Sequence, residues 1–198
     1  KNTNMGFFSN LFGHKSKAET PSNATDKSLS DNTKPDFALY EETVNHIAVS
    51  EVLQKDLKIK LKQAFENPKS FYDDDNEFIL SDRGLTYPDD VALTPKFVLV
   101  DTMQDENQMA EIDWKEDEDE IRYAINRILK AKNFANISSE AKYDDSETFD
   151  ILHLINDNEL KLLGYSLEIL DIDSDSYVFT IVPLEKHQDV ATLFLRLK

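Results

Sequence analysis

The chain contains no cysteine. Disulfide bonds, thiolate metal sites and a cysteine nucleophile are therefore excluded. The histidines are also sparse and none forms a His-x-x-x-His pair; they are His14, His46, His153 and His187. Because the usual nitrogen and sulfur ligand sets for zinc are missing, we expect no metal ligand and no cofactor.

Glycine and long apolar runs are scarce as well. The sequence has only 4 Gly, and no Gly-x-Gly-x-x-Gly, Walker or Gly-x-Ser-x-Gly motif occurs, so the common nucleotide-binding and hydrolase loops are absent. No stretch approaches the roughly 20 apolar residues that span a bilayer. The apolar run at residues 6–13 is too short for a secretory signal. We expect a cytoplasmic protein that is not an enzyme.

Charge of one sign dominates the composition. The formal net charge is -17 at pH 7, with 39 Asp and Glu against 22 Lys and Arg. A surface this acidic repels phosphate backbones, which argues against nucleic-acid binding. It favours a basic protein as the partner. The sequence leaves the oligomeric state open.

Residues 1–35 differ from the rest of the chain. They are rich in Ser, Thr, Asn and Lys, and five Lys against three acids give them a charge of +2, which leaves -19 for the remainder. We expect this segment to be a disordered tail, because it has too few apolar residues to offset the entropy of ordering.

A short amphipathic segment at residues 6–13 interrupts the tail. Its apolar side chains share one helical face and are Phe7, Phe8, Leu11 and Phe12. With the basic flank that follows, residues 6–17 could dock on a membrane surface or on another protein. The alternative is a leader without a docking role, since isolated helices of two turns are marginal.

Residues 36–198 predict a single globular α+β domain, in which several helices pack on a small, mainly antiparallel sheet. Apolar periodicity predicts helices at residues 37–47, 52–65, 97–103, 117–132, 148–163 and 184–197. Alternation predicts strands near residues 111–114, 165–172 and 177–182.

Two predictions concern where aromatic and apolar side chains point. Trp114 alternates with Ala110 and Ile112, so we expect it in the core rather than exposed. In the helix predicted at 148–163, the spacing places Phe149 and Leu163 on the inward face, and the following glycine ends the helix.

The densest chemical feature is a run of acid between the first predicted strand and its helix. Seven of the ten residues from 111 to 120 are Asp or Glu, with a single lysine, Lys115. An excess of acid at a helix N-terminus is the ordinary explanation, because it complements the helix dipole. The functional reading is a surface that binds a cationic partner, formed by Asp113, Trp114, Glu116, Asp117, Glu118, Asp119 and Glu120.

A metal-dependent hydrolase is the alternative that the acids allow. Asp171, Asp173 and Asp175 alternate as in a calcium loop, but Ser176 and Val182 stand where that loop needs Gly and a bidentate acid. A polar turn is therefore the favoured reading. The candidate hydrolase residues are Asp113, Glu116, Asp171 or Asp173.

Two short motifs carry a resemblance to a known family. They are Glu111-Ile112-Asp113-Trp114-Lys115-Glu116 and Asp173-Ser174-Asp175-Ser176-Tyr177. Over residues 99–128 and 164–197 the chain resembles a bacterial family of small uncharacterised domains. The resemblance implies a compact α+β domain with no assigned activity and no catalytic residues to transfer.

The functional prediction is an acidic, non-enzymatic protein-binding domain that neutralises a basic partner. The composition is similar to that of immunity proteins, which neutralise toxins. The metal-dependent hydrolase and a scaffold tethered through residues 6–13 are the alternatives.

Overall fold

The computed structural model of the protein describes residues 36–73, 76–143 and 146–197. The predicted tail and its four docking residues, Phe7, Phe8, Leu11 and Phe12, lie outside this range.

Six α-helices and a three-stranded sheet form the described part of the chain. The helices are α1 (Phe37–Ile47), α2 (Glu51–Glu66), α3 (Thr94–Asp105), α4 (Glu118–Ala131), α5 (Thr148–Ile155) and α6 (His187–Arg196). The strands are β1 (Ala110–Ile112), β2 (Tyr165–Leu170) and β3 (Tyr177–Pro183). The predicted α+β class is confirmed. Within these residues no helix has the length and apolar character needed to cross a membrane.

Side-chain caps begin three of the helices where the sequence places them. Asp36 accepts a hydrogen bond from the Ala38 amide at 3.0 Å, which starts α1. The Ser50 hydroxyl accepts from the Leu53 amide at 3.1 Å, which starts α2. Asp117 does the same for α4. Each cap satisfies an amide that the first helical turn leaves without a partner.

The helix predicted at 148–163 is not continuous. α5 ends at Ile155, a π-helical turn follows at Asn156–Leu160, and a 3-10 turn leads to Gly164, which has a φ of 83°. The wider π turn shifts later side chains around the axis. Leu163 is consequently exposed, and Phe149 is exposed at the other end, so both inward predictions are wrong.

The sheet has the strand order β1–β3–β2, and both pairs are antiparallel. In the register, Phe179 of β3 lies between Ala110 and Ile169 of its two neighbours. Strand β1 ends at Ile112. The strand predicted to reach residue 114 is therefore too long, and Trp114 falls in the turn that follows.

The sheet separates two hydrophobic cores. Val178 and Val182 of β3 face α1, α2, α3 and α6 in the first core. Phe179 and Ile181 of the same strand face α4 and α5 in the second core. Strand β3 is therefore buried on both faces, which explains its nearly continuous apolar sequence.

Lys132, which follows α4, joins the two layers. Its ammonium donates hydrogen bonds to the Ile47 carbonyl at 2.8 Å, the Thr180 hydroxyl at 2.8 Å and the Ile181 carbonyl at 2.9 Å. The residue is buried. Burial, with a smaller contribution from the charge of Lys186, lowers the pKa of Lys132 to about 7. The three acceptors, one of them at the negative end of the α1 dipole, favour the charged form.

Replacing this lysine should change how stability depends on pH. Because the folded pKa is about 7 and the ordinary value is 10.5, the unfolded chain binds more protons between these values, and the free energy of unfolding rises with pH there. We expect the free energy of unfolding of the wild type, measured relative to that of Lys132→Met, to rise by about 2 kcal/mol from pH 7 to pH 9 in urea titrations. An unchanged difference would show that the lysine has an ordinary pKa.

Candidate functional site

A tight turn after β1 determines where Trp114 points. The Asp113 carboxylate accepts a hydrogen bond from the Lys115 amide at 2.8 Å, and the Asp113 carbonyl accepts from the Glu116 amide at 3.2 Å. The turn places Trp114 on the surface, where it is 47% exposed. The prediction that Trp114 belongs to the core is therefore wrong, because the strand alternation on which it depended ends two residues earlier.

The start of α5 lies opposite this turn and is bonded to it. The Thr148 hydroxyl donates to the Glu116 carbonyl at 3.0 Å. Phe149 is exposed beside it, and its ring lies 5.8 Å from that of Tyr177 at the start of β3. The resulting hollow, which we name the Trp114 recess, has a volume of about 210 Å³ and is lined by Trp114, Lys115, Glu116, Ser146, Glu147, Thr148, Phe149 and Tyr177.

Lys115 covers the indole of Trp114. Its ammonium lies 4.1 Å from the ring centroid, a cation–π distance. The recess therefore contains an aromatic surface that already holds a cation from its own chain.

The predicted partner-binding residues do not all lie on the surface. Those exposed in the turn and in the first turn of α4 are Asp113, Trp114, Asp117, Asp119 and Glu120, and of these Trp114 lines the recess. Glu116 is half-buried in the recess wall. Glu118 is buried, so its assignment to an exposed acidic surface is wrong.

Glu118 instead belongs to a buried ion-pair network. It accepts a hydrogen bond from Arg122 Nε at 2.6 Å, another from the Lys142 amide at 2.8 Å, and one from the Tyr143 amide. Burial alone would raise the pKa of Glu118, but these donors together hold it below its ordinary value. The carboxylate is therefore ionised and fixed in place.

The same network holds the loop before α5. Arg122 donates to Glu159 at 2.7 Å and to the Ser138 carbonyl at 2.9 Å, and Lys142 pairs with Glu159 at 3.3 Å. Glu159 reaches this position because it lies in the π-helical turn after α5. The network thus connects α4, the loop and the π-helical turn after α5. The residues that line the recess lie just before α4 and at the start of α5, at the other ends of these segments.

A second charged cluster fixes the turn between β2 and β3. Arg83 pairs with Asp101 of α3, with Nε at 2.7 Å, and with Glu111 of β1 at 3.0 Å. Ser176 in the turn donates to the other oxygen of Glu111 at 2.8 Å. The turn is thus polar and anchored to β1, as the favoured sequence reading has it. The sequence pattern does not identify Arg83, because it stands alone in a segment where apolar and acidic residues are mixed.

The metal alternative gains no geometric support from the described residues. Among them, no three His, Asp or Glu side chains lie together in an arrangement that could hold a metal ion. Of the hydrolase candidates, Asp113 and Glu116 follow β1 and Asp171 and Asp173 follow β2, the two outer strands of the sheet, with β3 between them. The Asp171 carboxylate accepts a hydrogen bond from the Asp173 amide at 2.9 Å, which shapes the local turn.

A larger hollow of about 570 Å³ lies on the surface of α1 and α2. Its lining includes Phe37 and Ile59 together with charged side chains of both signs. It is open to solvent. One of its lysines, Lys62, forms an ordinary pair of an exposed helix with Glu66 at 3.8 Å. Such a surface gives no indication of a particular ligand.

Removing Arg122 should destabilise the protein strongly. The change Arg122→Met leaves Glu118 buried without its counter-ion, which costs about 3–5 kcal/mol. The matched variant Arg127→Met, at an exposed position of the same helix, should cost less than about 0.5 kcal/mol. Chemical denaturation measures both. Equal, small losses would show that the network contributes little.

Comparison with known proteins gives a family but no activity. No curated protein and no solved structure matches the chain. The family described as a domain of unknown function, DUF6630, matches residues 39–198. That range contains every helix and strand from α2 to α6 and most of α1. The chain therefore belongs to the DUF6630 family.

Proposed function

We propose that the protein is a non-enzymatic binding domain whose Trp114 recess receives a cationic segment of a basic protein partner. The observation that carries the proposal is the exposed indole with the Lys115 ammonium 4.1 Å from its centroid. A lysine or arginine of a partner would take the place of Lys115 on this ring.

Aromatic exposure supports binding of a protein rather than simple solvation. Trp114 and Phe149 are 47% and 45% exposed, and both border the same recess. Exposed apolar residues that occur singly need no explanation, but two large rings on one hollow form a contact surface. Trp is among the residues that contribute most to the free energy of protein–protein binding.

Acidic residues near the start of α4 and at the start of α5 favour the binding of a cation. Asp117, which caps α4, and Asp119 and Glu120 in its first turn are exposed, and so are Glu147 and Asp150 at the start of α5. None of these five takes part in an ion pair found among the described residues, so their charge is available. Together with the net charge of the chain, they would steer a basic partner toward the recess and raise its association rate.

Neutralisation of the partner, as by an immunity protein, is the form of this function that the acidity favours. A bound cationic segment would be unable to contact its own polyanionic or acidic target. The activity of the present chain would then consist of occupying that segment, and it would need neither a catalytic group nor a cofactor.

Trp114 provides a direct test, because it is the only tryptophan in the chain. A six-residue peptide of alternating Arg and Gly should produce a saturable change in Trp114 fluorescence at low salt. The change should largely disappear at about 1 M salt, where screening is nearly complete. A Glu and Gly peptide of the same length should produce no change. Absence of a saturable change with the Arg peptide would contradict the proposal.

Charge reversal distinguishes the effect of the acids near the recess on binding from the effect of the net charge of the chain. Reversing Asp117, Asp119 and Glu120 to Lys should weaken binding of the Arg peptide by about tenfold or more, since close charges dominate over distant ones. The control reverses Asp89, Asp105 and Glu106, which are exposed and precede β1. Equal effects of the two triple variants would show that binding is a general response to acidity.

A further inference from the structure

A third cavity lies at the end of α1, and the charged side chains that line it are all basic. Its volume is about 240 Å³. Three basic side chains line it, from α1, from the residue after α4 and from the segment before α6; they are His46, Lys132 and Lys186. Phe134, Val182 and Pro183 provide an apolar wall. None of the described residues that line it is acidic.

The basic groups of this cavity have little compensation from the protein. The ion pairs found in the described part of the chain include neither Lys132 nor Lys186. His46 Nδ1 is buried and has no hydrogen-bond partner there. Glu168 lies across the strand pair from Thr180, but its carboxylate is bonded to His187 at 2.5 Å. The basic side chains at this cavity therefore form a local excess of positive charge in an acidic chain.

A structural role accounts for only part of this arrangement. Lys132 has three oxygen acceptors and joins the two layers of the fold. That role explains neither the placement of Lys186 at the same cavity nor the unpartnered nitrogen of His46. Buried polar atoms are normally hydrogen-bonded, and the described residues offer His46 Nδ1 no partner.

We propose that this cavity binds a small organic carboxylate. The three hydrogens of the Lys132 ammonium are directed to protein oxygens, which leaves Lys186 and His46 as the donors. A carboxylate presents two acceptor oxygens and matches that number. Phe134, Val182 and Pro183 would contact the apolar body of the ligand. The volume equals that of about eight water molecules, which limits the ligand to a small acid.

Binding should be coupled to the protonation of Lys132. The groups that face it at the cavity are His46 and Lys186, both cationic when protonated, and its pKa is about 7 because of burial first and Lys186 second. A bound anion would favour the charged form and raise that pKa. Affinity for a carboxylate should therefore fall by up to about tenfold per unit of pH above 7.

The test uses propionate and benzoate as probes, with propionamide and benzamide as uncharged molecules of the same shape. Titrations of the full chain are followed through the amide resonances of Val49 and Ile181, which line the cavity. We expect saturable binding of at least one acid at pH 6, weaker binding at pH 8, and none of either amide. Failure of both acids to bind, or equal binding of acid and amide, would overturn the proposal, as would tighter binding of inorganic phosphate.

Two matched variants locate the site. Lys186→Gln should weaken binding of the acid about tenfold by removing a charged donor. Lys130→Gln makes the same charge change at an exposed position of α4 outside the cavity and should leave affinity unchanged. Equal affinities of the two variants would overturn the assignment. Neither residue is buried, so this comparison does not depend on whether Lys132→Met folds.

Discussion

Strand β3 is the constraint on which the rest of the structure depends. It is hydrogen-bonded to β1 on one side and to β2 on the other, and it is covered by a helical layer on each face. A strand in this position buries the side chains of residues 178–182, so any polar group among them needs a partner from the layers that cover the sheet. Thr180 is such a group, and it donates to the Gln108 carbonyl while it accepts from Lys132.

Strand β2 also has buried polar side chains that need hydrogen-bond partners. Ser166 and Glu168 of β2 lie on the same face of the sheet as Thr180, and both are buried. His187 at the start of α6 bonds to both, at 3.3 Å and 2.5 Å. The polar residues of the sheet therefore fix which side chains the covering helices must carry, and they hold α4 and α6 in register with the sheet.

The sequence predicted the elements better than the contacts between them. Local signals determined the helices: the Ser50 and Asp117 caps and the apolar stripe of α4 all involve residues within a few positions of one another. The misplaced side chains depended on distant residues. Glu118 is buried because the loop at 142–143 folds back onto it, and α5 breaks where Glu159 must reach Arg122. The spacing of residues along the sequence does not predict such long-range contacts.

The Trp114 recess likewise combines features that the sequence predicts with contacts that it does not predict. The acidic run was evident from composition, but its division into exposed residues and a buried Glu118 depends on where the strand ends and the helix begins. The partners on the opposite wall, Phe149 and Tyr177, lie more than 30 positions away in the chain. Tyr177 reaches the recess because β1 and β3 are paired. Phe149 reaches it because the neighbouring Thr148 is hydrogen-bonded to Glu116. The lysine–indole contact supports the proposal of a cationic ligand, for which acidity alone gives no evidence beyond ordinary solvation.

Capture of partners by the 198-residue chain from its native cell extract tests the central claim most directly. Wild type and Trp114→Ala would be compared at low and high salt, with bound proteins quantified by mass spectrometry. The account predicts one basic protein in stoichiometric amount, lost both at high salt and with Trp114→Ala. A partner that both proteins retain equally, or one that is acidic, would contradict it.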